Sequence, residues 1–428
     1  MKTSQMLLAA PEFWVLIMAC VVMCVDVFLD KSRRGIIHML AMLTLMFAAI
    51  ITLRGDYHVD GVWALTAFNE TFVRDPMSDV LKLFCYATLA LVFTYSKLYL
   101  RAFGIFRTDF YTLTLFALLG VMLLISANSL ITVYLGLELI SLSSYALVAF
   151  NRDSKRGSES AMKYFVLGSM ASGLLLYGMS MIYGATGSLQ LPAIAQAITA
   201  NGSDDILLVF GLVFLVAGVA FKLGVAPFHM WVPDVYHGAP AAVTLFISTV
   251  PKLAAFAMAY RLLSTAMGSL HTDWQQMLML LSVMSIIIGN LAAIMQSNIK
   301  RMLAYSTISH MGFVLLGMLP GTAYGFGASM FYVIVYALMS AAGFGMLILL
   351  SQDGSEAEEL EDFKGLNQRN PWYAAIMAMV MFSMAGVPVF VGFFAKWLVI
   401  KATLDAGLIW LALLAVVFSV VGAFYYLR

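Results

Sequence analysis

The sequence predicts an all-α polytopic membrane protein of about thirteen transmembrane helices. Three observations carry that expectation. The 428 residues are 62% hydrophobic and only 11% charged, where a soluble domain carries about 25% charged residues. Mean hydropathy is +0.92, so the solvent this surface needs is lipid. Apolar runs bounded by polar or turn residues fall near 12–30, 36–53, 76–96, 109–126, 128–150, 161–184, 205–230, 239–263, 275–296, 302–319, 324–350, 373–400 and 407–427. A spanning helix needs about 20 apolar residues, and these runs are of that order. Backbone amides in hydrocarbon must be satisfied within their own segment. The alternating ten-residue pattern of a β-barrel, the other spanning solution, is absent.

Taken in order, the opening MKTSQMLLAAPEFWVLIMACVVMCVDVFL has no clear small-residue cleavage site, so the first run reads as a retained span. Asp26 and Lys82 lie within about six residues of run ends and read as snorkelling charges. Cys20, Cys24 and Cys85 lie in apolar runs and read as small packing residues. The connections alternate in charge. DKSRRG (30–35), SKLYLRAFGIFR (96–107), NRDSKRGSES (151–160), NIKR (298–301), the loop 351–371 and Arg428 hold fourteen of the 24 Lys and Arg. The opposite side holds Lys2, Arg54, Arg74, Arg261 and Lys401. Excess Lys and Arg marks the cytoplasmic side, which places the N-terminus outside. The loop SQDGSEAEELEDFKGLNQRNP (351–371) is acidic yet falls inside, where it reads as a solvated linker. The net charge of +1 points to no nucleic acid.

An ionised side chain at mid-bilayer costs at least ~2.5–3.5 kcal/mol, so each deep charge needs a reason. Glu138 lies about 10 residues from either end of its run, or ~15 Å at helical rise, too far to snorkel. Lys222, Lys252 and Lys396 are also deep. Lys163, two residues into its run, is open to either reading. Breaks accompany the amines. Pro227 and Pro233 interrupt the run carrying Lys222, Pro251 precedes Lys252, and Gly386, Pro388 and Gly392 interrupt the run carrying Lys396. Broken spans are tolerated where they line a cavity or are buried in protein, and in transporters they gather at the ion site. GVAPF (224–228) and AGVPVF (385–390) echo each other. SAMKYFVLGSMASG (160–173) and ASMFYVIVYALMSAA (328–342) match Met, Tyr and Ser at a spacing of 168. These echoes predict helices 1–3 in residues 1–108, a first repeat of helices 4–8 in 109–263 and a second of helices 9–13 in 264–428. An odd number of spans per repeat makes the repeats inverted.

Lysine suits proton handling. An amine in water keeps its proton; burial disfavours the charged form and a nearby carboxylate favours it. A buried lysine beside a movable carboxylate therefore has a tunable proton affinity. On this reading Glu138 biases Lys222, and protons pass by water and Lys252 toward Lys396. Arginine would not release its proton. His229 and His310 are candidate shuttles, and His237 reads as a loop cap. His38, His58 and His271 lie at edges that nothing marks. No Cys or carboxylate cluster accompanies the histidines to make a metal site. There is no GxxxxGK loop, no glycine fingerprint after a strand and no CxxC. A proton path without a fuel site must be driven by an ion gradient or a partner protein.

LGLELISLSSYALVAF, AMKYFVLGSMASGLLLYGMSMIYGATGSLQ, FKLGVAPFHMWVPDVYHGAPAAVTLFISTVPKL and SMAGVPVFVGFFAKW together resemble the antiporter-like membrane subunits of respiratory complex I, across nearly the whole chain. Leu137 stands before the glutamate where two sister subunits usually have tryptophan, and one sister has glutamate where Lys396 stands. The resemblance implies a multi-pass subunit of the bacterial inner membrane that moves protons while redox chemistry elsewhere drives it. It implies that Glu138, Lys163, Lys222, His229, Lys252 and Lys396 are functional, with Lys163 paired to Glu138. It implies no cofactor in this chain, with NADH, flavin, iron–sulfur clusters and quinone in partner subunits. The implied partners are other membrane subunits, sister antiporter-like subunits among them, and the lipid bilayer. It also implies a further span beyond FYYLR. Two rival readings stay open: a sodium/proton antiporter built on the same repeat, and a scaffold whose charges are paired and static.

Overall fold

The computed structural model describes residues 2–29, 35–55, 64–202, 205–351 and 355–428. Most of the DKSRRG loop and His58 lie outside the described residues. The helices are α1 (Lys2–Leu8), α2 (Ala10–Phe28), α3 (Gly35–Arg54), α4 (Pro76–Ala102), α5 (Asp109–Ile125), α6 (Leu130–Val148), α7 (Lys155–Thr186), α8 (Leu191–Asn201), α9 (Ile206–Leu223), α10 (Trp231–Gly238), α11 (Ala241–Ile247), α12 (Val250–Tyr260), α13 (His271–Ile294), α14 (Ile299–Met318), α15 (Ala323–Leu350), α16 (Leu366–Arg369), α17 (Pro371–Ala385), α18 (Val391–Asp405) and α19 (Ile409–Leu427).

Each of the expected apolar runs carries helix over most of its described residues. Among the described residues, ten helices are long and apolar enough to cross a membrane. The other expected runs fall short for visible reasons. Helix α5 has 17 residues. Helix α14 opens on Lys300 and Arg301 and carries His310. The run 373–400 is split into α17 and α18, of 15 residues each. The run 239–263 is one of the ten, as Ala241–Ala266, and it is interrupted at Ser248 and Thr249, just ahead of Pro251, the proline that marks a break beside Lys252 in the sequence. Unforeseen is a short antiparallel hairpin of β1 (Leu65–Ala67) and β2 (Phe72–Arg74), registered Leu65 to Arg74.

Hydrogen bonds sort the loops to two ends of the bundle. At one end Asn128 Nδ2 donates to Glu70 O, Gln190 Nε2 to Asn69 O, and Arg261 pairs with Asp75 at 2.7 Å. At the other end Arg156 pairs with Glu358 at 3.2 Å, Asn298 bridges Glu359, and Arg428 Nη1 donates to Ile294 O. These are the groupings that the charge alternation predicts.

Helices α11, α12, α14 and α15 form the enclosed centre, while α2, α3, α7 and α19 turn apolar faces outward. Close approach between helices uses small residues. A Cβ on Gly136 would lie 2.8 Å from Leu124 N of α5.

Three expectations need correction. Lys82 does not snorkel: its side chain is 0% exposed and its Nζ is 2.6 Å from Glu12 Oε1. A counter-charge in the first turn of α2 replaces the water it would otherwise seek. Cys85 is buried as expected, but Cys20 and Cys24 face outward from α2. The acidic loop is no solvated linker, because Glu356 and Glu358 fold onto Lys300, which is 2% exposed.

Candidate proton-relay site

The two glycine–proline breaks share one local geometry. Helix α9 ends with Gly224 left-handed at φ 76°, and α17 ends with Gly386 at φ 87°. In the first, Gly224 N donates to Ala220 O and Phe221 O and Val225 N to Ala220 O. In the second, Gly386 N donates to Phe382 O and Ser383 O and Val387 N to Phe382 O. Glycine relieves the Cβ clash of that conformation. Each break leaves its half-helix with terminal carbonyls that the following chain does not use. Helices α9 and α17 start from opposite ends of the bundle, so the two carbonyl ends approach its interior from opposite sides.

An amine sits on each carbonyl end. Lys252 Nζ donates to Leu223 O at 2.8 Å and Lys222 O at 3.4 Å. Lys396 Nζ donates to Ala385 O at 2.8 Å and to Ser419 Oγ at 2.8 Å. The negative end of a helix dipole favours a cation there. An aromatic face completes each seat: Lys252 Nζ lies 5.0 Å from the Trp231 ring and Lys396 Nζ 5.3 Å from the Phe313 ring. Both amines are buried, Lys252 1% and Lys396 8% exposed.

Lys222 belongs to α9 itself. Its Nζ donates to Ser141 Oγ at 2.7 Å, and that hydroxyl donates to Leu137 O. Glu138 lies one turn before Ser141 on α6 and acts on Lys222 electrostatically. Glu138 Oε1 is shut from solvent and has no hydrogen-bond partner among the described residues. A cavity of about 20 Å³ lies between Lys222, Lys252, Tyr164, Trp231 and Pro251, room for about one water molecule.

Hydroxyls lead from the first half to the second. Ser248, four residues before Lys252, accepts from Ser340 Oγ at 3.1 Å. One turn along α15, Tyr336 OH donates to Thr307 Oγ1 at 2.7 Å. His310, the next turn of α14, holds Tyr332 OH at 2.8 Å on Nδ1 and Tyr426 OH at 2.9 Å on Nε2. Tyr426 also bonds Ser306. Tyr332 stacks on Phe313, the ring under Lys396.

The structure thus brings Glu138, Lys222, Lys252, His310 and Lys396 into one buried line. His229 is half-buried on the rim of the first break, and among the described residues no side-chain hydrogen bond joins it to Lys222 or Lys252. Lys163 is not paired with Glu138. It is exposed on α7 and bridges Glu159 at 2.9 Å and Asp234 at 3.0 Å. Two turns into α7, its head reaches Glu159 one turn earlier and Asp234 of α10. Sequence reasoning missed Ser141, the Ser248–Ser340 pair and the tyrosines around His310. Their only signal was polar residues recurring within apolar helices, as in SLSS (141–144). Among the described residues no group of three or more His, Cys, Asp or Glu is placed to hold a metal ion.

A family model described as NADH:quinone oxidoreductase/Mrp antiporter, TM, matches residues 127–422. The chain is 55% identical to NADH-quinone oxidoreductase subunit N of Thioalkalivibrio sulfidiphilus, covering 98% of this chain and 86% of that one. The chain belongs to the NADH-quinone oxidoreductase subunit N family. The subunit N of Azoarcus sp. is 54% identical over the same shares. A chain of respiratory complex I from Thermus thermophilus superposes with a TM-score of 0.81 at 32% identity, covering 97% of this chain and 88% of that one. A chain of the Mrp complex from Dietzia sp. shares the fold, with a TM-score of 0.85 at 24% identity, covering 98% and 79%. Membership of the subunit N family agrees with the expectation drawn from Leu137 and Lys396. It also makes the chain a multi-pass subunit of the bacterial inner membrane.

Proposed function

We propose that this chain moves protons across the inner membrane as a subunit of NADH-quinone oxidoreductase, driven by redox chemistry in other subunits. NADH, flavin, iron–sulfur clusters and quinone belong to those subunits, and other membrane subunits are its neighbours. The relay residues are Glu138, Lys222, Lys252, His310 and Lys396. The supporting observation is the pair of amines on half-helix carbonyl ends that face each other from opposite sides.

Ammonium charge is stabilised at each seat by carbonyls, an aromatic face and, at Lys396, a hydroxyl. None of these partners is a full negative charge, so each amine is held as a cation but not locked as one. Approach of Glu138 favours the proton on Lys222, and its withdrawal favours transfer through the water-sized cavity to Lys252. The serine, tyrosine and histidine groups then carry it to Lys396. Each hydroxyl donates one proton and accepts another, so the line is restored after each passage. His229, at the rim of the first break with its Nδ1 shut from solvent and without a well-formed hydrogen bond among the described residues, is a further candidate shuttle. Lys163, with Glu159 and Asp234, forms a charged cluster on the outer face of α7, and we assign it to subunit contact. The division into 1–108, 109–263 and 264–428, with the last two inverted, belongs to the same proposal, supported by the shared geometry of the breaks.

The test uses the assembled complex in sealed inside-out membrane vesicles. Lys222→Ala and Lys396→Ala should abolish NADH-driven acidification attributable to this subunit while the chain stays assembled. Unimpaired pumping in either variant refutes the relay.

A further inference from the structure

A second titratable cluster lies outside this line, at the end of the bundle that the Lys and Arg bias assigns to the cytoplasm. There an open pocket of about 510 Å³ is lined by Glu359, Asp362, Arg156 and His237 at its mouth and by Glu356 and Lys300 at its floor. Lys300 Nζ is 2.7 Å from Glu356 Oε2 and 3.5 Å from Glu358 Oε1, and donates to Ala239 O at 2.8 Å. Glu356 Oε1 accepts from Ala241 N at 3.0 Å and from Tyr99 OH. Glu358 lies between this pair and the mouth, against Arg156 at 3.2 Å and His237 at 3.6 Å.

The cluster continues inward. On α14, Lys300, Ala304 and Thr307 share one stripe, and Thr307 is ~10 Å of helical rise from Lys300. Ala304 between them is fully buried and carries only a methyl group, the smallest obstacle a chiral side chain presents. Beside it stands Tyr236 of α10. Its hydroxyl is buried and within reach of the Thr307 side chain, with no well-formed hydrogen bond among the described residues. Thr307 is already joined to Tyr336, one turn from His310. A buried hydroxyl held only loosely by its neighbour is free to turn between two partners.

We propose that this pocket is a second proton inlet, in which Glu356 and Lys300 take protons from the loop side and feed them past Tyr236 and Thr307 to His310. The proposal rests on the relay reading above and adds an entrance that bypasses Lys222 and Lys252. A proton from water at the mouth neutralises Glu356 and loosens its hold on Lys300. The ammonium passes one proton inward to the hydroxyl line and takes back the proton held by Glu356. One proton has entered, one has left, and the ion pair is restored. At rest, burial alone would push the Glu356 carboxyl up. The Lys300 charge and the hydrogen bonds from Lys300, Tyr99 and Ala241 pull it well below the usual carboxylate range. At rest the Glu356–Lys300 pair therefore stays ionised, and Glu356 is neutral only in passing.

The experiment measures NADH-driven acidification per NADH oxidised in inside-out vesicles of the assembled complex, whose outer medium bathes this loop. Proton supply limits an inlet only when protons are scarce. Glu356→Gln should lower pumping at least about fivefold near pH 8.5 and less than about twofold near pH 6. Glu356→Asp should recover at least half of the loss. Tyr236→Phe, which removes only the buried hydroxyl, should show the same pH-dependent deficit even where Glu356→Gln fails to assemble. Glu361→Gln, altering a carboxylate that is 74% exposed, should keep the normal profile. A strap that merely holds the loop would lose pumping equally at both pH values, without rescue by Asp. That outcome, or an unchanged profile, overturns the inlet. If Lys222→Ala is inactive and Glu356→Gln is normal, only the inlet falls. If Lys222→Ala pumps, the relay itself falls.

Discussion

Ser141→Ala removes one oxygen and adds no bulk, yet among the described residues it cuts the hydrogen bond that ties the Lys222 amine to α6. The bond is 2.7 Å long and charge-assisted, and hydrogen bonds to charged groups contribute about 1.5–3 kcal/mol. At about 1.4 kcal/mol per decade, the amine's preference for the α6 side falls roughly 10- to 150-fold. On the proposed relay, Lys222 is then free to leave the α6 side, and only the Coulomb attraction of Glu138 still holds it there. Pumping in inside-out vesicles, read by a pH-sensitive dye, should fall toward that range while NADH oxidation still supplies electrons. Ser141→Thr keeps the hydroxyl and should retain most of the activity. Combined with Glu138→Gln, the loss should be less than the product of the two single losses, because residues on one link are not additive. Normal pumping by Ser141→Ala, or strict multiplicativity with Glu138→Gln, would falsify the coupling of Glu138 to Lys222 through this turn.

Three further outcomes follow from particular contacts. Gly224→Ala and Gly386→Ala each force a left-handed alanine at about 1–2 kcal/mol, and the new Cβ would lie 3.3 Å from the amine of Lys252 or Lys396. Both should pump several-fold more slowly with normal subunit levels; wild-type rates would show that amine placement tolerates movement. Lys82→Met strands the Glu12 carboxylate in a buried site and should cost about 3–5 kcal/mol, seen as a lower folded fraction after graded heating in detergent. Replacing both partners by apolar residues should recover most of that loss. At Asp75, burial raises the carboxyl's pKa, but the charge and hydrogen bonds of Arg261, with bonds from Ser78, lower it overall. Its folded value is thus below the unfolded one, so its contribution is complete above about pH 3.9 and is lost as acid carries the pH through the folded value. Acid unfolding of Asp75→Asn should lack that component, and an unchanged acid profile would count against the pair.

Much of the fold was legible because lipid imposes a simple rule: each span must be apolar and about one bilayer long. The breaks at Pro227 and Pro388 were legible because proline removes an amide and glycine admits the left-handed turn. The break at Ser248 and Thr249 was legible in the same way, because Pro251 in the first turn of α12 has no amide to continue α11. Glu138, Lys222, Lys252 and Lys396 stood out because a charge in hydrocarbon is costly. Ser141, Tyr332 and Tyr426 did not, because hydroxyls are common in spans and carry no such cost. Lys82 and Lys163 show the converse failure. Depth along a run says how far a charge is from water, not which carboxylate another helix brings beside it.

Composition and order along the chain determined by themselves that the protein lies in a membrane, how many apolar runs it has, where those runs are interrupted and which charges are out of place. Only the tertiary structure decided that two amines cap the carbonyl ends of half-helices from opposite sides, that Lys82 answers Glu12, and that an acidic loop folds onto Lys300. The physical reason is range. Burial and backbone satisfaction are set within one segment, whereas the partner of a buried charge comes from a helix tens or hundreds of residues away, and only packing chooses it.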